Sequence, residues 1–262
     1  MIKGDNIISV GVPGSKQGVT FTSLKTSSSS SGSGANPPIT ANLHVYYSPD
    51  VEVYSDAVET LAENDDNIRQ WKDQSGNSNT LNQTSGSLQP LWKEDYFGSG
   101  NSAIYALNDS FYFTENIDQG TNTDFSIYMV YKRSSTSSTA YILRGTRYSA
   151  YPLLNFTSSS HLFRSYSSST AARLDYNATL NTEIACWTFD RTANEAKLYI
   201  NGTLITTYSV STSRNFSSYE RIFSNSTRGM HYGNTLWYKG AAHSAEEVTD
   251  MHNWLNTKYS IY

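Results

Sequence analysis

The chain has 262 residues, 37% of them hydrophobic and 16% charged, with a formal net charge of −4. No Lys/Arg cluster supplies the basic footprint that phosphate backbones demand, which speaks against nucleic acid as a partner, and no run approaches the ~20 apolar residues of a membrane-crossing helix. A single cysteine, Cys186, excludes an intrachain disulfide; its place in the apolar run "IACWTF" marks a core residue rather than a nucleophile.

The polar surface is built from Ser, Thr and Asn, and 20 Tyr with 5 Trp make the chain rich in residues that favour strands and binding surfaces. Residues 1–25 hold two β-like runs, "NIISV" and "GVTFTSL", separated by "GVPGSKQG". Two strands alone are marginal in water, so this segment reads as an arm that orders when a partner completes its sheet. Ile8, Val10, Val19 and Phe21 are its attachment residues. The start lacks a secretory h-region, which reads either as a protein that stays or assembles in the cytoplasm or as one whose signal has been removed.

Residues 26–40, "TSSSSSGSGANPPIT", cannot bury apolar surface and read as a flexible tether. Residues 41–262 are then one large domain. "NLHVYYSPDVEVY" predicts a first strand, and "SDAVETLAEND" a short helix or turn. Short strands follow at regular spacing: "SAIYAL", "SFYF", "FSIYMVYKR", "AYILRG", "YPLLNF", "HLFRSY", "EIACWTFD", "EAKLYI", "TLITTYS", "YERIFS" and "GNTLWYKG". Ser, Thr, Asn, Gly and Asp separate them, the pattern of an antiparallel sandwich or barrel. In "KLYINGTLI", Asn201 and Gly202 fit a type I′ turn, which needs two positive φ angles. Ser244 followed by Glu247 is a capping box, and Val248, Met251 and Leu255 share a face of a closing helix. Seven Asn-X-Ser/Thr sequons (Asn82, Asn108, Asn155, Asn177, Asn201, Asn215, Asn225) are what so polar a composition produces by chance.

Three stretches carry a resemblance. "WKDQSGNSNTLNQ", "FDRTANEAKLYINGTLI" and "YKGAAHSAEEVTDMHNWLNTKY" are similar to the Trp-x-Asp-x-Ser-Gly loop, the strand–hairpin–strand and the closing strand plus helix of laminin-G-like domains. These belong to the concanavalin A-like lectin/glucanase superfamily. The resemblance implies an all-β, two-sheet antiparallel jelly-roll sandwich with a short C-terminal helix and a sugar-facing side. It also implies settings such as bacterial surface proteins and the fibres and capsid decorations of bacteriophages.

Catalytic chemistry finds little support. The glucanase branch of that superfamily carries Glu-x-Asp-x-x-Glu on one strand; in "ENDDNI", Glu63 and Asp65 match but Ile68 stands at the second Glu position. No zinc, P-loop or nucleophile-elbow motif is present. In "DQSGNSN", Asp73, Asn77 and Asn79 offer oxygen donors for Ca²⁺, yet with one carboxylate the loop reads better as a turn capped by Asp73, with Gly76 at positive φ and Trp71 as its core anchor. Candidate glycan-binding residues are Arg144, Arg147, Tyr148, Tyr151, Arg164 and Tyr166 in one group and Arg228, His231 and Tyr232 in another, aromatic platforms beside hydrogen-bonding side chains.

The expectation is a non-enzymatic structural protein of a phage virion (capsid decoration, head fibre or tail-associated). Its arm would bind other virion proteins, its domain would face outward toward surface glycans for host attachment, and several copies would associate. The alternatives are a cellular or extracellular carbohydrate-binding adhesion module and a glycan-active enzyme.

Overall fold

In the strand Phe125–Arg133 both faces are apolar, and alternation sorts them. Phe125, Ile127, Met129 and Tyr131 join one buried cluster, Tyr128 and Val130 another. Such a strand must lie between two covering layers. The computed structural model describes residues 36–117, 123–137, 140–145, 154–164, 171–210, 219–224 and 229–262. All of them belong to the unit Ser33–Tyr262.

The elements in chain order open with β1 (Leu43–Tyr47), β2 (Val53–Tyr54), β3 (Gln70–Trp71), β4 (Leu81–Asn82), β5 (Leu91–Gly98) and β6 (Asn101–Ala106). There follow β7 (Phe111–Ile117), β8 (Phe125–Arg133), β9 (Ala140–Gly145), β10 (Leu154–Phe156), β11 (Ser160–Arg164) and β12 (Ala171–Asp175). The last are β13 (Thr182–Asp190), β14 (Glu195–Ile200), β15 (Thr203–Ser209), β16 (Tyr219–Ser224), β17 (Met230–Lys239) and the helix α1 (Ala245–Tyr259). The first sheet runs β15-β14-β13-β8-β17-β6-β5, with β1 also paired to β17; the second runs β12-β11-β10-β9-β16-β7-β4-β3-β2. Every pairing is antiparallel. This is the expected all-β two-sheet sandwich with one C-terminal helix.

The larger core fills the space between the sheets, with Trp71, Trp187, Phe111, Phe156, Phe223 and Tyr232 among its bulkiest members. Trp71 stacks on Phe223, and its Nε1 donates to the Ser48 carbonyl at 2.9 Å, so it anchors the "DQSGNSN" loop as expected. The smaller core lies between the first sheet and α1, and holds Cys186, whose thiol burial pushes up and out of reach of a thiolate. The helix begins as predicted: the Ser244 side chain accepts from the Glu247 amide, and the Glu247 carboxylate accepts from the Ser244 amide. The hairpin joining β14 to β15 turns on Asn201 (φ 48°) and Gly202 (φ 78°) as expected.

Strand β17 is irregular between Tyr232 and Thr235. On its N-terminal side it pairs with β6, on its C-terminal side with β1. The extra residue flips the pleat: Met230 and Tyr232 face the sheet–sheet core, whereas Leu236 and Tyr238 face the helix and Trp237 takes the inward phase. Tyr259 of α1 seats its hydroxyl at this point, accepting from the Asn234 amide and donating to Asn234 Oδ1, both at 2.9 Å.

Of the two readings of "SDAVETLAEND", helix or turn, the structure has the turn: the Asp56 carboxylate accepts from the amides of Val58 and Thr60 and the Thr60 hydroxyl. One expectation is corrected. Ile39, placed in the tether by composition, packs against the helix-side core, and its carbonyl accepts from Tyr238 Oη at 2.9 Å.

Candidate functional site

Helix α1 covers the outer face of the first sheet. On the outer face of the second, strand pairing lines up a row: Tyr54 opposite Gln70, Gln70 opposite Asn82, Asn82 opposite Tyr112 and Tyr112 opposite Arg221. Their chain neighbours Val53, Trp71, Leu81, Phe111, Phe113 and Ile222 all enter the core, so alternation turns the row outward. Arg144 stands opposite Arg221 in the backbone pairing of β9 with β16.

The row is built from planar groups. The Arg221 guanidinium carbon lies 4.5 Å from the Tyr112 ring centroid, a cation–π stack. Gln70 Nε2 donates to Asn82 Oδ1 at 3.3 Å, which orients both amides. Lys72 reaches over Tyr54, with Nζ 5.2 Å from the ring centroid, and forms an ion pair with Glu59. Burial first, and the Glu52 carboxylate next, push the Tyr54 hydroxyl above its ordinary range. The five aligned side chains include no carboxylate, thiol or imidazole. Gln70, Asn82, Tyr112 and Arg221 are half-buried and present donors, acceptors and aromatic surface to solvent, while Tyr54 is buried at the end of the row.

The predicted site residues are dispersed. Arg147, Tyr148, Tyr151, Tyr166 and Arg228, and the arm residues Ile8, Val10, Val19 and Phe21, lie outside the described residues. Arg164 ends β11, far along the second sheet from the row. Tyr232 is corrected: it is a fully buried core residue stacked on Phe223 at 4.0 Å between ring centroids, so no ligand can use it as a platform. "STRGMHYGN" looks like a polar loop, but its second half is the N-terminal half of β17.

His231 points the other way, onto the outer face of the first sheet. It stacks on Tyr96 with ring centroids 3.7 Å apart and an interplanar angle of 5°, and packs against Tyr105 at 4.6 Å. Burial, then Lys132, then Lys93 lower its pKa to about 4, so it is neutral at pH 7. Gly229 is required for this packing: at φ +65° it passes so near Tyr105 that a Cβ there would lie 2.5 Å from the phenol oxygen.

Asp73, Asn77 and Asn79 are brought together as a structural tie. Asp73 Oδ1 accepts from the amides of Tyr46 and Ser75, and Oδ2 from the Ser75 hydroxyl and the Asn79 amide. Asn77 and Asn79 donate their side-chain amides to the carbonyl of His44, and Asn77 also to that of Leu43. Gly76 has φ +88°, as the turn reading requires. A cation bound by Asp73 would compete with these four donors. Of the "ENDDNI" triplet, Ile68 is fully buried in the sheet–sheet core, and Asp65 is ion-paired to Lys93.

Among solved structures, three illustrate what this fold is similar to. The binding domain of botulinum neurotoxin serotype G matches with a TM-score of 0.57 and 14% identity, over 82% of this chain and 51% of that one. The binding domain of Paraclostridial Mosquitocidal Protein 1 matches at 0.56 and 14% identity, over 81% and 52%. The binding domain of botulinum neurotoxin DC, solved in complex with SialylT, matches at 0.54 and 11% identity, over 82% and 52%. The likeness is one of fold. This chain spans about half the length of each of those structures. No protein-family model and no curated protein matches its sequence.

Proposed function

We propose that this chain is a non-catalytic glycan-binding module of the lectin-like sandwich type, and that the open part of the row, Gln70–Asn82–Tyr112–Arg221, is its contact surface. The carrying observation is the register that aligns a Tyr–Arg stack beside an oriented amide pair on the face left open by the helix. Sugar hydroxyls are both donors and acceptors, and amide and guanidinium groups meet them in pairs, while aromatic surface takes the C–H faces of the ring. The structures it is similar to include domains solved with SialylT and with rat synaptotagmin II, which supports binding rather than catalysis as the use of such a sandwich. The resemblance of the sequence to laminin-G-like domains supports the same reading.

The arm and tether carry a second part of the reading. We place the module on a bacteriophage particle, assembled in the host cytoplasm and held by residues 1–25 on other virion proteins. The support is compositional: two short apolar strands ahead of a Ser/Gly tract. A free-standing cell-binding adhesion module is the competing reading, favoured by the likeness to toxin binding domains.

The test of the surface is a panel of neutral oligosaccharides presented to the intact protein and to Tyr112→Ala and Arg221→Gln variants. Binding should fall at least tenfold in each variant, with thermal stability within a few degrees of the parent. Equal binding by parent and both variants would remove the row from the function. For the arm, deletion of residues 1–25 should leave the protein folded and absent from purified particles; full occupancy after deletion would assign attachment to the sandwich.

A further inference from the structure

Beside its helix the first sheet leaves an opening. Where α1 ends, Phe97, Lys132, Leu180, Asn181, Thr182 and Ser260 border a cleft of about 330 Å³. Its charged wall is Lys132, whose neighbours are set by register: Tyr105 opposite His231, His231 opposite Lys132, Lys132 opposite Thr182. Lys132 Nζ lies 5.6 Å from the centroid of Tyr96, the ring that stacks on His231. Phe97 ties the same ring to the cleft, edge-on to Tyr96 at 5.2 Å and to Tyr259 at 5.4 Å.

Two features give this cleft a ligand chemistry. First, Lys132 and Lys93 face one imidazole, which burial and both cations hold neutral, so the cluster carries net positive charge at pH 7. Lys93 is neutralised by Asp65. Lys132 is not: among the described residues no carboxylate lies within ion-pairing distance of it, and its Nζ stands over the Tyr96 ring. Second, apolar surface is open to solvent at the cleft and next to it: Leu180 on its lining is 52% exposed, and Tyr96, the chain neighbour of the lining residue Phe97, is 37% exposed.

We infer that this cleft is a second binding site, separate from the row on the second sheet, and that it takes an acidic saccharide. The sugar ring lies against Tyr96 and Leu180, its anionic substituent pairs with Lys132, and Asn181 and Thr182 meet its hydroxyls. The end of α1 carries partial negative charge, so the anion is confined to the Lys132 wall. A carboxylate and a sulfate ester both satisfy Lys132, which recognises charge rather than a planar fork.

The experiment titrates the full chain with three defined probes: a tetragalacturonate (carboxylate), a chondroitin sulfate tetrasaccharide (sulfate plus carboxylate) and neutral cellotetraose. At least one acidic probe should bind, weaken several-fold between 50 and 200 mM NaCl, and lose tenfold or more affinity in Lys132→Gln and Tyr96→Ala. Arg221→Gln, on the other sheet, should leave acidic binding unchanged, which separates this site from the neutral-glycan surface. Lys132→Arg should restore part of the affinity, showing that charge and not packing was lost. The inference is overturned if neither acidic probe binds, if Lys132→Gln binds them like the parent, or if tetraglutamate competes as well as the saccharides, since the sugar ring would then contribute nothing.

Discussion

Acid should loosen this fold well before its carboxylates protonate, because all five histidines are held with pKa values below the ordinary 6.5. His161 is the extreme case: it is fully buried, and burial first and the Arg133 guanidinium second keep it neutral. For His231 the folded value is about 4 against 6.5 when unfolded. Below pH 6.5 the unfolded chain takes up a proton that the folded one refuses, so the unfolded state binds more protons and stability falls with pH. That loss starts at 6.5 and is complete below the folded pKa. Between pH 7 and pH 5, His231 alone should cost about 2 kcal/mol, from the 1.36 kcal/mol carried by each pKa unit. The other four act with the same sign. Urea midpoints measured at both pH values should therefore drop sharply at pH 5 with the slope m unchanged, a window in which Asp and Glu scarcely titrate. His231→Phe keeps a ring against Tyr96 and should remove about 2 kcal/mol of the pH difference. The reasoning fails if the parent has the same midpoint at both pH values, or if His231→Phe leaves the pH difference intact.

Two further substitutions probe the frame. Gly233→Ala should destabilise by about 1–3 kcal/mol, because a Cβ there would sit 2.9 Å from both Tyr259 Oη and Val130 Cβ; helix α1 would have to shift, and a melting temperature equal to the parent's would show that it does not pack there. Gly202→Val should cost about 1–2 kcal/mol or more, since φ at this turn is +78°; chemical denaturation of the variant reads it directly, and an unchanged midpoint would contradict the type I′ hairpin.

What the sequence disclosed were features that act over a few neighbouring residues. The Asn201-Gly202 turn, the Ser244/Glu247 box and the buried runs of β8 and β13 each carry their own local signal. Strand β5 carried none: Lys93, Glu94 and Asp95 interrupt any alternation, and the strand bends at Asp95, where φ is +47°. Tyr232 was misplaced because its neighbours are polar, and only the β17 irregularity sets which way each of them faces. The candidate row was beyond any local reading. Three of its five members sit on strands of two residues, too short for a period to show, and long-range pairing alone makes Tyr54, Gln70, Asn82, Tyr112 and Arg221 neighbours. His231 is shown on the outer face of the first sheet beside an aromatic ring and a cation, and those partners, Tyr96 and Lys132, again come from different strands.

The helix decides which surfaces are left to bind anything. Val248, Met251, His252 and Leu255 need an apolar bed, and Tyr128, Val130, Cys186 and Leu236 provide it on the outer face of the first sheet. That docking is locked at one end by Asn234: Tyr259 Oη exchanges hydrogen bonds with it, and Lys258 Nζ reaches Asn234 Oδ1 at 3.0 Å, Ser48 Oγ at 3.1 Å and Asp50 at 2.8 Å. The chain then leaves the helix at Ser260, in the left-handed conformation, before the first sheet is fully covered. The uncovered remainder is the ground occupied by Tyr96, His231 and Lys132. The irregularity in β17 that seats Tyr259 also turns His231 outward and Tyr232 inward. One extra residue therefore fixes the helix, completes the core and faces the cleft with its aromatic stack, so a substitution at Gly233 or Asn234 should disturb stability and acidic-saccharide binding together.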